Sequence, residues 1–390
     1  MQKVDEFIAM AKPLIDDDTI EEVVRVLKSG WIATGPVTRE FEKKLSEYFG
    51  GRTVMCFSSA TAGLHAALMA VGVGSGDEVI TTPMTFAATA NVIAMLGARP
   101  VFVDIDPGTI NIDPSKVEVA CTSKTKAIMP VHYAGLPVDM DPIFDIAARR
   151  NLRVIEDAAH ATGSCYKNQK IGSFGDIQVF SFHPIKNMTS AEGGCVVLDS
   201  GAKNEQKILE LQRFHGIDRS IWDRFSAKSS GFYDVVCPGF KSNMSDLQSA
   251  IGVHQLDAVD AMNERRRKLA DRYRLAFADM FDHVHMQSVP DYSFVHSGHL
   301  FPLCVLDWTQ RETFMEFMKN SSIGVTPYYA PVHLFTYYRR TFGYTEGDFP
   351  HAEYVGKRIV SIPLHTSLTE DAQDYVIETV RRFFYGNKNG

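Results

Sequence analysis

Phe180-Ser181-Phe182-His183-Pro184-Ile185-Lys186-Asn187 is the stretch of sequence that decides the fold, because it places a lysine directly behind a strand. Residues 177–182 are apolar and β-rich, and they predict a buried strand. Lys186 follows in a stretch that is poor in other cations. Burial would lower the pKa of such a lysine and make its amine a nucleophile. The alternative interpretation is a surface lysine in a turn.

On both sides of this stretch, short β-rich runs alternate with helical runs. We predict further strands at residues 53–57, 78–82, 100–104, 126–132, 153–156 and 195–199. We predict helices at residues 61–71, 86–96 and 141–150. Strands separated by helices imply an α/β fold with a mostly parallel sheet, here of seven strands, that is covered by helices on both faces.

The outer parts of the chain predict two domains joined by a long helix. Near the N-terminus, a helix at residues 19–28 is expected to begin at a cap formed by Asp18. Residues 245–278 predict the joining helix. The C-terminal part mixes predicted strands with helices, at 300–306, 311–319, 324–328 and 370–384. We therefore expect a large domain at residues 1–250 and a smaller α+β domain at residues 251–390.

Composition limits the classes of function. The 390 residues suit two domains, and the net charge of −7 argues against a nucleic-acid partner. The six cysteines form no C-x-x-C pair, so we expect free thiols in a reducing compartment, with neither disulfides nor a metal site. Residues 1–15 lack the apolar core of a signal peptide, and no apolar run reaches the ~20 residues of a membrane helix. We expect a cytoplasmic protein without a membrane partner.

A second motif, Val154-Ile155-Glu156-Asp157-Ala158-Ala159-His160, ends an apolar strand in an acid. Ligands bind at the carboxyl ends of strands in open α/β sheets. A carboxylate at Asp157 can pair with the pyridine nitrogen of pyridoxal 5'-phosphate (PLP) and keep it protonated, which makes the ring an electron sink. His160 can then reach the phenolic oxygen of the ring. The alternative is a helix-capping acid and a packed histidine.

Two further motifs follow predicted strands. Ser58-Ser59-Ala60-Thr61-Ala62-Gly63 combines small residues with hydroxyls at a helix start, where free N–H groups bind phosphate. Phe86 follows the strand at 78–82 and can stack on a pyridine ring. Taken singly, these motifs are also explained by an N-cap and by an ordinary core aromatic. Together with Lys186 and Asp157 they supply what PLP requires, each beside a predicted strand end.

These segments, in this order, resemble the DegT/DnrJ/EryC1/StrS sugar aminotransferases, which are PLP enzymes of fold-type I. The resemblance spans nearly the whole chain and is most specific at residues 180–187 and at Ala191-Glu192-Gly193-Gly194. The other matching segments are residues 29–36, 76–81, 130–135, 156–161 and 238–247. The resemblance implies a fold-type I aminotransferase with a large PLP domain and a small C-terminal domain.

The resemblance also implies roles for individual residues. Lys186, which carries PLP as a Schiff base, and Asp157, which pairs with the ring nitrogen, are the expected catalytic residues. His160 matches the residue near the phenolic oxygen. The other expected cofactor contacts are Ser59, Ala60, Thr61, Phe86, Ser181, Lys241 and Asn243. The expected substrate contacts are Thr34, Gly35, His183, Tyr328, Tyr329 and His333.

One segment departs from the usual pattern of the family. This chain reads Lys241-Ser242-Asn243 where many relatives read Asn-Tyr-Arg, and the lysine form is similar to the branch that holds the UDP-4-amino-4-deoxy-L-arabinose aminotransferase. In the family this segment reaches the phosphate of the neighbouring subunit's cofactor. The resemblance therefore implies a homodimer with shared active sites.

The implied reaction moves an amino group from L-glutamate to a nucleotide-linked keto-sugar, with pyridoxamine 5'-phosphate as the alternate form of the cofactor. Amination at C4 of a UDP- or dTDP-4-keto-6-deoxy-hexose, for amino-sugar and surface-glycan synthesis, is the first expectation, and amination at C3 is an alternative. A PLP-dependent sugar dehydratase is a second alternative, but relatives with that activity carry histidine where this chain has Lys186. A non-catalytic regulator that binds PLP or a sugar nucleotide is the third.

Overall fold

A seven-stranded sheet organises the part of the chain that precedes residue 200. The computed structural model describes residues 6–218 and 233–386, so the first five residues of the predicted N-terminal segment lie outside it. The strands of the sheet are β1 (Thr53–Phe57), β2 (Glu78–Thr81), β3 (Arg99–Phe102), β4 (Thr125–Met129), β5 (Arg153–Asp157), β8 (Ile177–Ser181) and β9 (Gly194–Leu198). Between them, β6 (Cys165–Tyr166) and β7 (Gln169–Lys170) form a small separate sheet with β11 (Phe294–Val295).

The sheet is mostly parallel, as predicted. Its strand order is β1-β9-β8-β5-β4-β2-β3. The five strands from β8 to β3 pair in parallel, whereas β9 pairs antiparallel with both β8 and β1. The carboxyl ends of β1, β2, β4, β5 and β8 therefore meet at one edge, where open α/β sheets bind ligands.

Helices cover both faces of this sheet. In the described residues before residue 220 they are α1 (Asp17–Ser29), α2 (Pro36–Tyr48), α3 (Ala60–Ala70), α4 (Ala87–Met95), α5 (Pro114–Ala120), α6 (Met140–Arg150) and α7 (Lys203–Arg213). Phe41 of α2 and Ile143 of α6 pack with Cys56 on one face. Leu64 of α3 and Leu209 of α7 pack on the other. The predicted two-faced covering is thus confirmed, and burial on both faces explains why the strands are apolar throughout.

The long helix α8 (Asp246–Ala276) leads into the C-terminal part of the chain. That part contains β10 (Val284–Met286), β12 (Phe301–Val305) and β13 (Ile359–Ile362) in an antiparallel sheet, with α9 (Arg311–Asn320), α10 (Thr336–Phe342), α11 (Pro350–Gly356) and α12 (Glu370–Tyr385). Ile8, near the N-terminus, pairs with Ile323 and packs in the C-terminal core. The predicted domain boundary at residue 250 falls inside α8 and stays a prediction.

Two local predictions were wrong. The cap of α1 is Asp16, not Asp18, because it is the Asp16 carboxylate that accepts the hydrogen bond from the Thr19 N–H, at 2.9 Å. Residues 324–328 form no regular strand; only Thr326 forms a bridge, with Ser361. The next residue is Pro327, which has no N–H group to continue the ladder.

In the described ranges of the chain, no helix is both long enough and apolar enough to cross a bilayer.

Asp246, the first residue of α8, joins this helix to the start of α2. Its side chain is 1% exposed, and its carboxylate accepts hydrogen bonds from the N–H groups of Gly35, Val37 and Thr38 at 2.6, 3.1 and 2.9 Å. The first N–H groups of a helix have no partner within the helix, so a carboxylate from another element satisfies them and complements the helix dipole. This contact sets the position of α2 against α8.

We predict that Asp246→Ala lowers the free energy of unfolding of the apoprotein by about 3 kcal/mol, because it leaves several buried N–H groups without an acceptor. Urea unfolding followed by circular dichroism measures the change. Asp257→Ala is the matched control, since Asp257 lies on the same helix and its side chain forms an exposed ion pair with Lys44, for which we expect less than about 1 kcal/mol. Equal losses in the two variants would contradict the capping role of Asp246.

Candidate active site

A cavity of about 280 Å³ opens where the carboxyl ends of the parallel strands meet. The predicted site residues that line it are Ser59, Ala60, Thr61, Phe86, Asp157, His160, Ser181, His183, Lys186, Tyr328 and Tyr329. The strands β1, β2, β5 and β8 each end just before, or at, one of these residues. The topology therefore brings together motifs that are up to about 270 residues apart in the chain.

Lys186 lies in the turn behind β8, is partly buried, and borders the cavity. Burial lowers the pKa of its amine from 10.5 to about 8, although the Asp157 carboxylate opposes this effect. Among the described residues, no side-chain or backbone oxygen accepts a hydrogen bond from the Lys186 amine. A lysine in this state exists in substantial part as the neutral nucleophile near pH 8.

Asp157 ends β5 and is 6% exposed. Its Oδ2 accepts a hydrogen bond from the Thr89 hydroxyl at 2.7 Å, and its Oδ1 accepts one from the Ala159 N–H at 3.1 Å. Burial raises the pKa of the carboxyl, while these two hydrogen bonds and the charge of Lys186 oppose the rise. The carboxylate is held in a fixed orientation at the floor of the cavity.

The start of α3 forms another wall of the cavity. Ser59 caps this helix by accepting a hydrogen bond from the Ala62 N–H, and Ala60 and Thr61 form the first turn. Gly194 of β9 packs so closely here that a Cβ atom at this residue would lie 2.5 Å from the Ala60 nitrogen. The N-terminus of a helix attracts anions, so this wall suits a phosphate.

Phe86 precedes α4 and borders the same cavity, with its side chain 61% exposed. Its ring centroid lies 6.1 Å from that of Tyr329. An aromatic ring that is exposed on one face and backed by neighbours on the other is suited to stack on a bound planar ring.

Five of the predicted site residues lie outside this cavity of their own chain. Lys241 donates to Asn243 Oδ1 at 2.5 Å, and the Asn243 amide donates to the Thr34 hydroxyl. Gly35 donates its N–H to Asp246. His333 is buried, and its Nε2 lies 3.1 Å from the Glu353 carboxylate. The roles predicted for Lys241, Asn243, Thr34, Gly35 and His333 stay predictions.

The sequence reasoning missed several residues of the site. Thr89, which fixes the Asp157 carboxylate, lies one helical turn after Phe86. The i,i+3 spacing on α4 is a signal that could have identified it. Glu192 and Val131 also line the cavity, and each lies inside a segment that carried the family resemblance.

These residues fit PLP. The start of α3 suits the phosphate, Asp157 the ring nitrogen and Lys186 the aldehyde, and all of them border one cavity. With the mostly parallel seven-stranded sheet, they define a PLP-dependent enzyme of fold-type I.

Comparison with known proteins identifies the family. Residues 13–381 match the model of the DegT/DnrJ/EryC1/StrS aminotransferase family, and the chain belongs to this family. It is 42% identical to the spore coat polysaccharide biosynthesis protein SpsC of Bacillus subtilis strain 168, over 99% of each chain. The family model describes aminotransferases, and the solved structures that match this chain include sugar aminotransferases, so the prediction of a sugar aminotransferase is confirmed.

Solved structures agree with this assignment. The PLP form of Spr1654 from Streptococcus pneumoniae superposes with a TM-score of 0.89 at 34% identity, covering 96% of this chain and 97% of that one. Helicobacter pylori PseC, an aminotransferase involved in the biosynthesis of pseudoaminic acid, gives 0.89 at 29% identity, covering 97% and 99%. The predictions of fold-type I and of PLP as the cofactor are confirmed.

The lowered pKa of Lys186 predicts how the apoprotein takes up PLP. Only the neutral amine attacks the aldehyde, so the rate of uptake should rise about fivefold from pH 7 to pH 8 and level off above about pH 9. Stopped-flow absorbance measures this rate. The rate for free Nα-acetyl-lysine, first corrected to the fraction of its own amine that is neutral, is used as the divisor and removes the titration of PLP itself. A rate that continues to rise about tenfold per pH unit up to pH 10 would show an ordinary lysine and contradict the assignment.

Proposed function

We propose that this protein transfers the amino group of L-glutamate to C4 of a nucleotide-linked 4-keto-6-deoxy-hexose carried on UDP or dTDP. The observation that carries the proposal is the position of Lys186 on one cavity with Asp157 and the start of α3, where burial lowers the pKa of its amine. The similarity to SpsC and PseC, whose names place them in polysaccharide and pseudoaminic acid biosynthesis, supports a sugar as the acceptor.

When bound, PLP supplies an aldehyde that accepts the amino group and a protonated ring that withdraws electrons from the reacting carbon. Lys186 lies within the same cavity, and its Nζ is the base that removes the α-proton of glutamate and later returns a proton to the sugar carbon. Asp157 would hold the proton of the pyridine nitrogen, and the hydrogen bond from Thr89 keeps its Oδ2 in place.

Ser59, Ala60 and Thr61 would bind the phosphate through the start of α3, and Ser181 would add a hydroxyl from the end of β8. The ring of Phe86 borders the cavity and would stack on the ring of the cofactor. The half-exposed His183 and Tyr328 lie at the mouth of the cavity, where a sugar nucleotide would enter. These residues would hold the cofactor by its phosphate and by its aldehyde, which leaves the mouth of the cavity for the acceptor.

The same proposal includes a homodimer in which Lys241 and Asn243 serve the partner's cofactor. Both residues lie outside the cavity of their own chain, and they are linked to Thr34. Nearby side chains are apolar and exposed: Trp31 is 42% exposed and Phe240 is 51% exposed. Exposed apolar surface of this kind is typical of a protein interface. With six free cysteines, the proposed compartment is the reducing cytoplasm.

The first half of the reaction gives a direct test. We predict that glutamate added without sugar to the PLP-loaded protein yields about one 2-oxoglutarate per subunit, because the cofactor keeps the amino group. The visible absorption band expected of PLP bound to Lys186, called the visible band below, should disappear at the same time. Lys186→Ala should yield none. Lys268→Ala, on the exposed surface of α8, is the control and should behave as the unaltered protein. A PLP-loaded protein that forms no 2-oxoglutarate would rule out glutamate as the donor.

The bleached protein is then offered 4-keto- and 3-keto-sugar nucleotides, and mass spectrometry detects an aminated product. Return of the visible band with the 4-keto compounds supports the proposal. Turnover confined to 3-keto compounds would contradict C4 as the position of amination.

Shared active sites predict complementation between subunits. Lys186→Ala and Lys241→Ala should each be nearly inactive alone. After the two variants are mixed and allowed to exchange subunits, activity should recover to about a quarter of the unaltered level, since half the dimers are mixed and one site in each is intact. Activity that stays at the sum of the two parents, or a fully active Lys241→Ala variant, would contradict the shared site.

A further inference from the structure

His160 and Tyr329 form a hydrogen bond at the floor of the cavity. The Tyr329 hydroxyl lies 3.0 Å from His160 Nε2, and both side chains border the cavity, although the two residues are 169 positions apart in the chain. His160 is 4% exposed and Tyr329 is 9% exposed. In such a pair, either the histidine N–H donates to the phenol or the phenol donates to the histidine. The other nitrogen of the imidazole ring decides between these two arrangements.

The other nitrogen, His160 Nδ1, accepts a hydrogen bond from the backbone N–H of Ala134 at 3.2 Å. A backbone N–H can only donate, so Nδ1 carries no proton. Burial lowers the pKa of His160 well below its usual range, and the nearby Lys186 and His132 lower it further, so the ring is neutral. Its single proton is therefore on Nε2, which points at Tyr329.

The backbone around Ala134 keeps this arrangement in place. Ala134 has a left-handed conformation, with φ 58° and ψ 2°, which turns its N–H toward His160. Its carbonyl accepts the N–H of His299 at 3.1 Å, and the His299 ring packs on the His160 ring with centroids 4.3 Å apart. The Ser297 hydroxyl donates to the His160 carbonyl at 2.7 Å. A flipped imidazole would lose the bonds of both ring nitrogens.

Because His160 Nε2 donates to Tyr329, the phenolic hydrogen of Tyr329 is directed elsewhere. Burial raises the pKa of the Tyr329 phenol, and Tyr328 and the Asp157 carboxylate raise it further, so the hydroxyl keeps its hydrogen. In the described part of the chain, His160 is the hydrogen-bond partner recorded for this hydroxyl, and the remaining space around it is the cavity.

We infer that Tyr329 is a hydrogen-bond donor of the cavity, which recognises a carbonyl or phenolate oxygen of the bound molecule, and that His160 acts through Tyr329 as a positioning residue. The identity of that oxygen, in the keto-sugar or in the cofactor, rests on the proposed function. The direction of the hydrogen bond rests on the contacts of His160 alone.

The direction of the hydrogen bond is tested on the apoprotein by NMR, without cofactor or substrate. In protein labelled with [15N]histidine, the signal of His160 is the one lost in His160→Gln. We expect the neutral tautomer with the proton on Nε2 from pH 6 to pH 8. A proton on Nδ1, or a charged ring in this range, would overturn the inference, whether or not the protein proves to be an aminotransferase.

The role of the hydroxyl is tested with Tyr329→Phe, which keeps the ring. We expect kcat/KM for the keto-sugar to fall about ten- to hundredfold, because the bound oxygen loses its donor. Tyr338→Phe is the matched control: it removes a buried hydroxyl that bonds Asn91 outside the cavity, and kcat/KM should stay within about twofold.

The same Tyr329→Phe variant shows which oxygen is bound. A change in the pH titration of the visible band would assign the oxygen to the cofactor. An unchanged band with lower kcat/KM would assign it to the sugar. If neither quantity changes, the inference fails.

The dependence of His160 on Tyr329 is tested by a double-mutant cycle. His160→Leu cannot donate to Tyr329 and should cost as much as Tyr329→Phe, whereas His160→Gln keeps an N–H donor and should recover part of the loss. If His160 acts through Tyr329, the double variant His160→Leu/Tyr329→Phe is no worse than Tyr329→Phe alone. Losses that multiply would show that the two residues act independently and would overturn the positioning role.

Discussion

The placement of the partly buried Lys186 on the same cavity as Asp157 is the constraint on which the rest of this structure depends. An ammonium group loses its hydration when it is enclosed, so the fold must either neutralise it or compensate it. Here both occur: the pKa of the amine falls to about 8, and a carboxylate lies on the same cavity. Such a pair contributes little to stability, because desolvation cancels much of the attraction. Its value is chemical, since it keeps a reactive amine next to an acid whose orientation is fixed by the hydrogen bond from Thr89.

A parallel sheet can meet this constraint with short connections. All the parallel strands end at one edge, so a short turn behind each strand delivers one functional group to a common cavity. The two antiparallel pairings of β9 do not disturb this order, because they leave β1 parallel to β8 and its end at the same edge. The capping of α2 by Asp246 then anchors the long helix to the large sheet layer. The helix that leads into the C-terminal part therefore starts from a fixed point.

The parts of the site that could be predicted from sequence are those that follow strands directly. Lys186, Asp157, Ser59 and Phe86 could be found because strand ends are visible as apolar runs, and the ends of parallel strands meet. Thr89 was missed because its role depends on which side of the first turn of α4 faces Asp157. The strand predicted at residues 324–328 was wrong because local β propensity was weighed above Pro327, which is visible in the sequence and ends the pairing. The contact of His160 with Tyr329 spans 169 positions, and no local pattern encodes it.

This last contact shows how a distant backbone atom can decide the chemistry of a side chain. Whether Tyr329 donates or accepts in the cavity is not a property of tyrosine or of its neighbours in sequence. It follows from the position of one proton on His160, which the Ala134 N–H determines by occupying the other ring nitrogen. Ala134 can do so because its backbone is left-handed and is held from the far side by the N–H of His299. The C-terminal part of the chain therefore contributes twice, with Tyr329 in the cavity and with His299 behind the histidine. A substitution at His299 that moved Ala134 would change the hydrogen-bond character of the cavity without touching any group that lines it.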